Sequence, residues 1–159
     1  TGVQTCALPI LSKRRDLENV INNIDLLFIN EDELKMLTEQ SNIFQAAENI
    51  LKGRLKYLII KRGEYGSILY GKDLLFFVPV YPIKEVIDPT GAGDSFAGAF
   101  MGYIAKMDNL NSETMKKAML YATILASYNI QSFSVNELDR VQYPEIDRRH
   151  SELLRMIIL

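Results

Sequence analysis

The residue types best suited to chemistry are concentrated in residues 88–100, which read DPTGAGDSFAGAF. Pro89 stiffens the backbone, whereas Gly91 and Gly93 allow backbone angles and close approaches that a side chain would prevent. The small and aromatic residues that follow predict a helix. The first N–H groups of a helix lack intrahelical acceptors and lie at the positive end of its dipole, so such a turn is a typical phosphate site. Asp94 lies in this first turn, where a carboxylate would repel a docking anion, and its presence therefore suggests chemistry more than stability.

Two common phosphate-binding motifs do not fit this run. The P-loop requires Lys and then Ser or Thr after its last glycine, whereas Asp94 and Ser95 follow Gly93. The dinucleotide fingerprint requires a glycine three residues after its second glycine, and Phe96 occupies that position. A helix-capping role for Asp94 is the structural alternative to a chemical one.

Residues 88–100 as a whole resemble the second signature of the PfkB (ribokinase-like) carbohydrate kinase family, Asp-Pro/Thr-x-Gly-Ala-Gly-Asp followed by small and aromatic residues. The resemblance implies phosphotransfer from ATP to a hydroxyl of a sugar or related small polyol, with Mg²⁺ as cofactor. It assigns the role of general base to Asp94. It also assigns the anion hole, which binds the phosphoryl group in transfer, to the backbone amides of Gly91, Ala92 and Gly93.

The resemblance extends over residues 25–150 and matches the carboxyl-terminal part of the family pattern. The fold it implies is a ribokinase-like three-layer α/β/α arrangement with a mainly parallel sheet, without the amino-terminal half and the lid. That half carries the diglycine signature and most sugar contacts in the family. Two alternatives therefore stay open, a nucleoside kinase of the same family and a truncated fragment that binds nucleotide without catalysis.

Asn30 and Glu33 form a second candidate site. Residues 25–30 predict a short buried strand, and the helix that follows has Leu34 and Leu37 on its inner side. The spacing of Asn30 and Glu33 is that of a capping box, which by itself explains both residues. The family carries an Asn-x-x-Glu motif after a core strand, so the resemblance implies that both residues also help to bind the nucleotide phosphates, with Glu33 acting on Mg²⁺ through water.

A third candidate site lies in a predicted hairpin. Residues 56–61 and 67–70 predict two strands, and Gly63 and Gly66 lie in the turn between them. Family members place a Lys/Thr-x-Gly-x-x-Gly segment beside the ATP phosphates and ribose, and Lys61 with the two glycines matches it. Hairpin geometry alone is the alternative for the glycines, and an ordinary surface position is the alternative for the lysine.

Two further residues are candidates by their position in the family pattern. Residues 112–130 predict a helix, and Thr123 within it falls near the position that flanks adenine, although a place in the helix core explains it equally well. Asp88 matches a position that binds a monovalent cation, K⁺, in some members. Residues 126–134 lack the glycine that many of those members carry, which argues against potassium activation.

The remaining pattern predicts the architecture. Periodic apolar residues predict helices at residues 12–22, 43–52, 94–106 and 143–157, and a further strand at residues 74–80. Alternating strands and helices indicate an α/β fold with ligands at the carboxyl ends of the strands, so Asn30, Lys61 and Asp88 are expected along one rim. The small residues of the helix at 94–106 predict close packing on a sheet, and His150 is expected to be solvated.

Composition limits the classes of partner. The chain has 159 residues, which suggests one domain, and its net charge of −2 gives no support for binding to nucleic acid or to anionic membranes. No apolar run reaches the roughly 18 residues of a membrane span. The expected partner is therefore a small-molecule sugar or polyol substrate, and the intact protein is expected to form a homodimer if it assembles.

Residues 1–10 have no amphipathic period, no basic start and no long apolar centre. One legal back-translation resembles a common sequencing-adapter sequence, so we interpret residues 1–10 as a non-native leader and residues 11–159 as the carboxyl-terminal part of a PfkB-type kinase domain. An ordinary loop and strand is the alternative. The single cysteine, Cys6, lies in this leader, so residues 11–159 contain no disulfide or cysteine-metal framework. A cytoplasmic location is the expectation that fits.

Overall fold

The structure is a computed structural model that describes residues 7–157, with side chains from residue 10 onward. Residues 1–6, which make up most of the interpreted leader, lie outside the described part. The chain divides between Phe77 and Val78 into two compact units.

The elements up to the end of the sheet are α1 (Ala7–Ser12), α2 (Arg14–Ile21), β1 (Leu26–Asn30), α3 (Glu31–Thr38), α4 (Ile43–Ile50), β2 (Tyr57–Lys61), a 3₁₀ turn (Gly63–Tyr65), β3 (Ser67–Gly71) and β4 (Leu74–Val78). The predicted helices and strands of this part are therefore confirmed within a few residues. Helix α1 falls partly in the interpreted leader, and its Ile10 is buried in the core.

The four strands form one sheet in the order β1-β2-β3-β4. Strands β1 and β2 are parallel, with Leu26 opposite Tyr57 and Asn30 opposite Lys61, whereas β2 and β3 are antiparallel. The described sheet is thus mixed, with a parallel pair of the kind that the alternation of elements suggested and an antiparallel pair at the predicted hairpin. The physical reason is the length of the connections, because α3 and α4 supply a crossover between β1 and β2 and the short turn between β2 and β3 allows an antiparallel pair alone.

The core of the first unit is apolar and is supplied by both the helices and the sheet. Leu34 and Leu37 of α3 are buried, as the sequence predicted. The buried cluster consists of Ile10, Ile21, Ile29, Leu34, Leu37, Ala46, Ala47, Leu55, Leu58, Ile60 and Ile68. This cluster packs β1 and β2 against the helices, and the packing positions the residues at the carboxyl ends of the two strands.

From residue 79 onward, the regular elements described in the second unit are helices. It contains α5 (Ala92–Met107), α6 (Ser112–Asn129), α7 (Asn136–Arg140) and α8 (Tyr143–Ile157). Helix α6 contacts α5, α7 and α8, and the predicted apolar face of α6 is buried at Met115, Ala118, Met119 and Ala122. The sequence analysis missed α7, which is only 5 residues long.

Gly98 and Gly102 are exposed, and a Cβ added at either would meet no described atom within 4 Å. Packing of these small residues on a sheet therefore stays a prediction. The buried face of α5 instead carries Phe96, Phe100 and Ile104. His150 is not simply solvated, because its ring stacks on Tyr121 with the centroids 4.6 Å apart and its Nε2 is buried. No described helix combines the length and the hydropathy needed to cross a bilayer.

Candidate active site

Asn30 and Lys61 lie at the carboxyl ends of the two parallel strands and are paired in register. The structure therefore brings these two candidates to the same edge of the sheet, as their order along the chain suggested. Lys61 also pairs in register with Ser67 across the hairpin. Polar side chains at this edge are placed where α/β sheets bind their ligands.

Asn30 and Glu33 form the predicted capping box at the start of α3. The Asn30 side-chain oxygen accepts the Glu33 N–H at 2.7 Å, and a Glu33 carboxylate oxygen accepts the Asn30 N–H at 3.0 Å. Glu33 is only 8% exposed, so this reciprocal pair satisfies a buried carboxylate. The carboxylate has further acceptor capacity, because an ionised carboxyl offers about four lone-pair sites.

An ion-pair cluster that the sequence analysis missed lies beside this capping box. Glu31 accepts from Arg62 at 2.6 Å and from Lys35 at 2.6 Å. Hydrogen bonds from Arg62 and then Lys35 hold the pKa of Glu31 below its ordinary value. The Lys35 pair has the i, i+4 spacing of a helix surface and was open to sequence reasoning. The Arg62 pair joins residues 31 positions apart, so local spacing could not have predicted it.

Gly63 and Gly66 shape the turn between β2 and β3. Both have positive φ, at 55° and 87°, in the region that favours glycine. The Arg62 N–H donates to the Gly66 carbonyl at 2.9 Å, and the Gly66 N–H donates to the Gly63 carbonyl at 3.2 Å. Hairpin geometry thus accounts for both glycines, and contact with a nucleotide stays a prediction.

The central glycine turn opens α5 in the second unit. Gly91 is the N-cap with φ of 80° and no side-chain cap, and the helix begins at Ala92. The Ala92 N–H donates to the Pro89 carbonyl at 3.2 Å, so one of the three predicted anion-hole amides already has an acceptor. Asp94 lies in the first turn with an exposed side chain. The carboxylate therefore faces solvent at the amide end of a helix.

Asp88 precedes this turn but does not follow a strand. Residues 79–91 contain no strand, because Pro79, Pro82 and Pro89 remove backbone donors from this stretch. The expectation that Asp88 ends a strand is therefore wrong. Its carboxylate accepts the Thr90 N–H at 2.9 Å, and hydrogen bonds from the Thr90 side chain and backbone keep the pKa of Asp88 below its ordinary value.

Thr123 lies within α6 and is 8% exposed. Its hydroxyl donates to the Met119 carbonyl one turn earlier at 3.0 Å, which satisfies the buried group within its own helix. These contacts match the helix-core alternative. A place beside adenine stays a prediction.

Sequence reasoning missed Asn129 entirely. This last residue of α6 is 1% exposed, and its amide bonds to Thr90 and to Ser95 on either side of the glycine turn. Its partners lie 39 and 34 residues away, so no local pattern could have revealed them. An asparagine at the end of an apolar helix face was the one available signal.

The candidates form two groups. Asn30, Glu33, Lys61, Gly63 and Gly66 belong to the first unit, whereas Asp88, residues 91–94 and Thr123 belong to the second. Within the described residues, no three His, Cys, Asp or Glu side chains are arranged to hold a metal ion.

Comparison with known proteins gives a consistent result. The family model of pfkB family carbohydrate kinases matches residues 2–140. The chain is 40% identical over 95 residues to a cytidine kinase from Thermococcus kodakarensis, covering 57% of this chain and 34% of that protein. It is 32% identical over 125 residues to a nucleoside kinase from Methanocaldococcus jannaschii, covering 79% of this chain and 38% of that protein.

The fold has a close counterpart among solved structures. An E. coli protein described as ribokinase II, in complex with ATP and Mg²⁺, superposes with a TM-score of 0.75 at 27% sequence identity. The match covers 92% of this chain and 45% of that one. The chain thus spans between a third and a half of the length of these relatives, and it has a partial ribokinase-like α/β fold.

Proposed function

The chain belongs to the pfkB family of carbohydrate kinases, and from this premise we propose that it supplies the general base and the anion hole for phosphotransfer from ATP to a hydroxyl of a sugar or related small polyol. One observation carries this proposal. The start of α5 is capped by a left-handed glycine without a side-chain cap, and it presents an exposed Asp94 beside backbone amides. Because the chain spans less than half of the length of these relatives, the whole reaction is part of the proposal.

In the proposed step, the Asp94 carboxylate accepts the proton of the substrate hydroxyl. The hydroxyl oxygen forms its bond to the γ-phosphorus as the bond from that phosphorus to the ADP oxygen breaks. The amides at the start of α5 offset negative charge on the transferring phosphoryl oxygens. Gly93 and Gly91 carry most of this role, since the Ala92 N–H is held by the Pro89 carbonyl. Catalysis of this kind is mainly positioning and electrostatic stabilisation.

The first unit offers groups that fit a nucleotide with Mg²⁺. Mg²⁺ prefers oxygen ligands and usually keeps several waters while it is held by one or two carboxylates and the substrate phosphates. Glu33 provides a buried carboxylate with unused acceptor capacity, which suits a water-mediated contact, and Asn30 fixes its position. Mg²⁺, when bound, supplies positive charge near the phosphates. Lys61, Gly63 and Gly66 are the proposed neighbours of the phosphates and ribose, and Thr123 is the proposed neighbour of adenine.

A monovalent cation at Asp88 is a weaker part of the proposal. Its carboxylate already accepts hydrogen bonds from the Thr90 side chain and backbone N–H, so a cation there would share these oxygens with Thr90. Residues 126–134 lack the glycine that many potassium-binding family members carry, which argues against potassium activation. A cytoplasmic location and homodimer assembly likewise stay predictions.

A nucleoside acceptor is the second candidate function. The two curated relatives described above are a cytidine kinase and a nucleoside kinase. The residues proposed for catalysis serve either acceptor, because the base and the anion hole act on a hydroxyl and a phosphoryl group. We also expect that the 159 residues alone bind nucleotide without turning over at ordinary enzyme rates.

The test is Asp94→Asn in the full-length protein that contains this chain. We expect turnover to fall by about 10²–10⁴-fold, the usual contribution of a general base, with ATP binding by calorimetry retained. ADP release is measured with separate panels of sugars and nucleosides, which distinguishes the two acceptor classes.

The matched control is Asp108→Asn at the opposite end of α5. Asp108 is exposed and left-handed, a conformation that asparagine also tolerates, so its replacement should leave turnover unchanged. Full turnover in Asp94→Asn would refute the assignment. Turnover by residues 1–159 alone would overturn the expectation that this part is inactive by itself.

A further inference from the structure

Asn129 is a buried polar side chain at the end of α6. It is 1% exposed, so its amide is removed from water and must find partners within the protein. Its Nδ2 donates to the Thr90 carbonyl at 2.9 Å, and its Oδ1 accepts from the Ser95 hydroxyl at 2.5 Å. Thr90 precedes Gly91 and Ser95 follows Asp94, so one amide bridges both sides of the glycine turn.

The neighbouring residue strengthens this attachment. The Ile130 carbonyl accepts the N–H groups of Ile87 at 2.8 Å and Asp88 at 3.3 Å. Two adjacent residues at the end of α6 therefore bond to the backbone before and at the turn, and to the Ser95 side chain after it. These hydrogen bonds connect the turn to another helix of the same unit.

The end of α6 is itself held in place. Arg149 of α8 is 7% exposed and donates to the Ser127 hydroxyl at 2.7 Å and to the Gln131 side chain. Its guanidinium carbon lies 3.5 Å from the centroid of the Tyr128 ring. The residues on both sides of Asn129 thus contact the buried Arg149 guanidinium, which connects the end of α6 to α8.

The bridge depends on the chemistry of an amide. The Thr90 carbonyl can only accept, so it requires the NH₂ group, and the Ser95 hydroxyl then donates to the amide oxygen. Aspartate would place an acceptor against the carbonyl, and leucine would fill similar space without either hydrogen bond. A helix core residue could be apolar, whereas this position needs a donor and an acceptor together.

We propose that Asn129 is a positioning residue that sets the orientation of the glycine turn and, through it, of Asp94. The proposal rests on the proposed phosphotransfer function. Gly91 gives the start of α5 no side-chain cap, so its geometry depends on the distant amide. A catalytic group displaced by about 1 Å can lose on the order of 10²-fold in rate.

The experiment compares variants of the full-length protein that contains this chain. Asn129→Asp and Asn129→Leu break the bridge, Ser95→Ala removes one of its hydrogen bonds, and Ser95→Thr keeps the hydroxyl. Asn111→Ala is the matched control, because Asn111 is exposed and caps the opposite end of α6 by accepting the Thr114 N–H at 2.8 Å. Loss of the Asn111 cap weakens the same helix but leaves the hydrogen bonds to the glycine turn in place.

Two readouts are measured for each variant. Hydrogen exchange of residues 88–96 should accelerate by about tenfold or more in Asn129→Asp and Asn129→Leu, and should stay unchanged in Asn111→Ala at equal global stability. The kcat should fall by about 10–100-fold in the same two variants with little change in the KM for ATP. Ser95→Ala should show a smaller effect on both, and Ser95→Thr should restore them.

Unchanged exchange in residues 88–96 of Asn129→Leu would overturn the proposal whatever the activity. Faster exchange with an unaltered kcat would overturn it as well. If either Asn129 variant fails to fold, the contrast between Ser95→Ala and Ser95→Thr decides. Failure of the proposed function is distinguishable, because it would show as full turnover in Asp94→Asn, whereas the exchange readout requires no catalysis.

Discussion

The starts of helices α3 and α5 solve the same physical problem in opposite ways. At α3, Asn30 lies in an extended conformation and caps the helix with its own side chain, and the first turn adds three acidic residues. At α5, Gly91 adopts a left-handed conformation, makes no side-chain cap, and leaves the turn to be held by Asn129 from another helix. The start of α3 is capped by a neighbouring side chain, whereas the start of α5 is stabilised by a residue far away in sequence.

The difference teaches how a helix end is kept available. A side-chain cap satisfies the orphan amides and stabilises the helix, but it also occupies the donors that an anion would use. A glycine cap leaves donors open at a cost in stability, and that cost requires support from elsewhere in the fold. The proposed anion hole therefore lies at the end that local sequence stabilises less.

The largest expected effect on this contrast comes from Gly91→Ala. A Cβ at this position would lie 3.6 Å from the Asn129 side-chain oxygen, which is ordinary contact, so strain would come from the φ of 80°. A left-handed conformation costs a non-glycine residue about 1–2 kcal/mol. We expect the free energy of unfolding in urea to fall by that amount in the full-length protein, with loss of turnover.

Gly98→Ala in the same helix is the control. A Cβ there meets no described atom within 4 Å, so alanine should raise the free energy of unfolding by about 0.5–1 kcal/mol through higher helix propensity. Equal effects at the two glycines would show that backbone conformation does not distinguish the two positions, and the comparison would fail.

The local features of both helix starts could be predicted from sequence. The Asn30–Glu33 capping box follows from residue type and spacing, and the structure has both of its hydrogen bonds. The glycine turn opening a helix at Asp94 was also predicted, and α5 begins within two residues of the expected start. Capping and turn chemistry act over a few residues, so a sequence displays them directly.

The long-range features could not be predicted in this way. The register of the parallel pair, which places Leu26 opposite Tyr57, is not displayed by any local pattern, whereas the antiparallel β2–β3 pair follows from the predicted hairpin. The partners of Asn129 and the Arg62 partner of Glu31 lie more than 30 residues away in sequence. Exposure of Gly98 was missed because small residues on a helix are equally compatible with close packing and with solvent.

A smaller effect is expected from Asn30→Ala at the locally closed end. Loss of an N-cap side chain costs about 0.5–2 kcal/mol, whereas Asn30→Asp keeps an acceptor for the Glu33 N–H and should cost far less. Thermal unfolding of the two variants measures the difference. If the two variants are equally destabilised, the side chain of Asn30 does not stabilise α3 as a cap. The starts of α3 and α5 would then not differ in the way described.

The smallest expected effect is pH-dependent and concerns Glu31 in the first turn of α3. Its pKa is lowered from 4.5 by Arg62 and Lys35, so the folded state favours the ionised form more than the unfolded state does. A lowered carboxyl pKa contributes stability that is present above the unfolded value and is lost as the pH falls through the folded value. Glu31→Gln should therefore lower the free energy of unfolding by on the order of 1 kcal/mol at pH 7.

This difference from the original protein should shrink below about pH 4.5 and vanish once the pH is below the lowered pKa. Asp32→Asn is the control, because Asp32 is an exposed acid in the same turn and shares the helix dipole without the two ion pairs given for Glu31. Urea unfolding from pH 3 to pH 7 separates the two contributions. If the loss of unfolding free energy in Glu31→Gln persists at low pH, then packing of the Glu31 side chain, and not its charge, stabilises the start of α3.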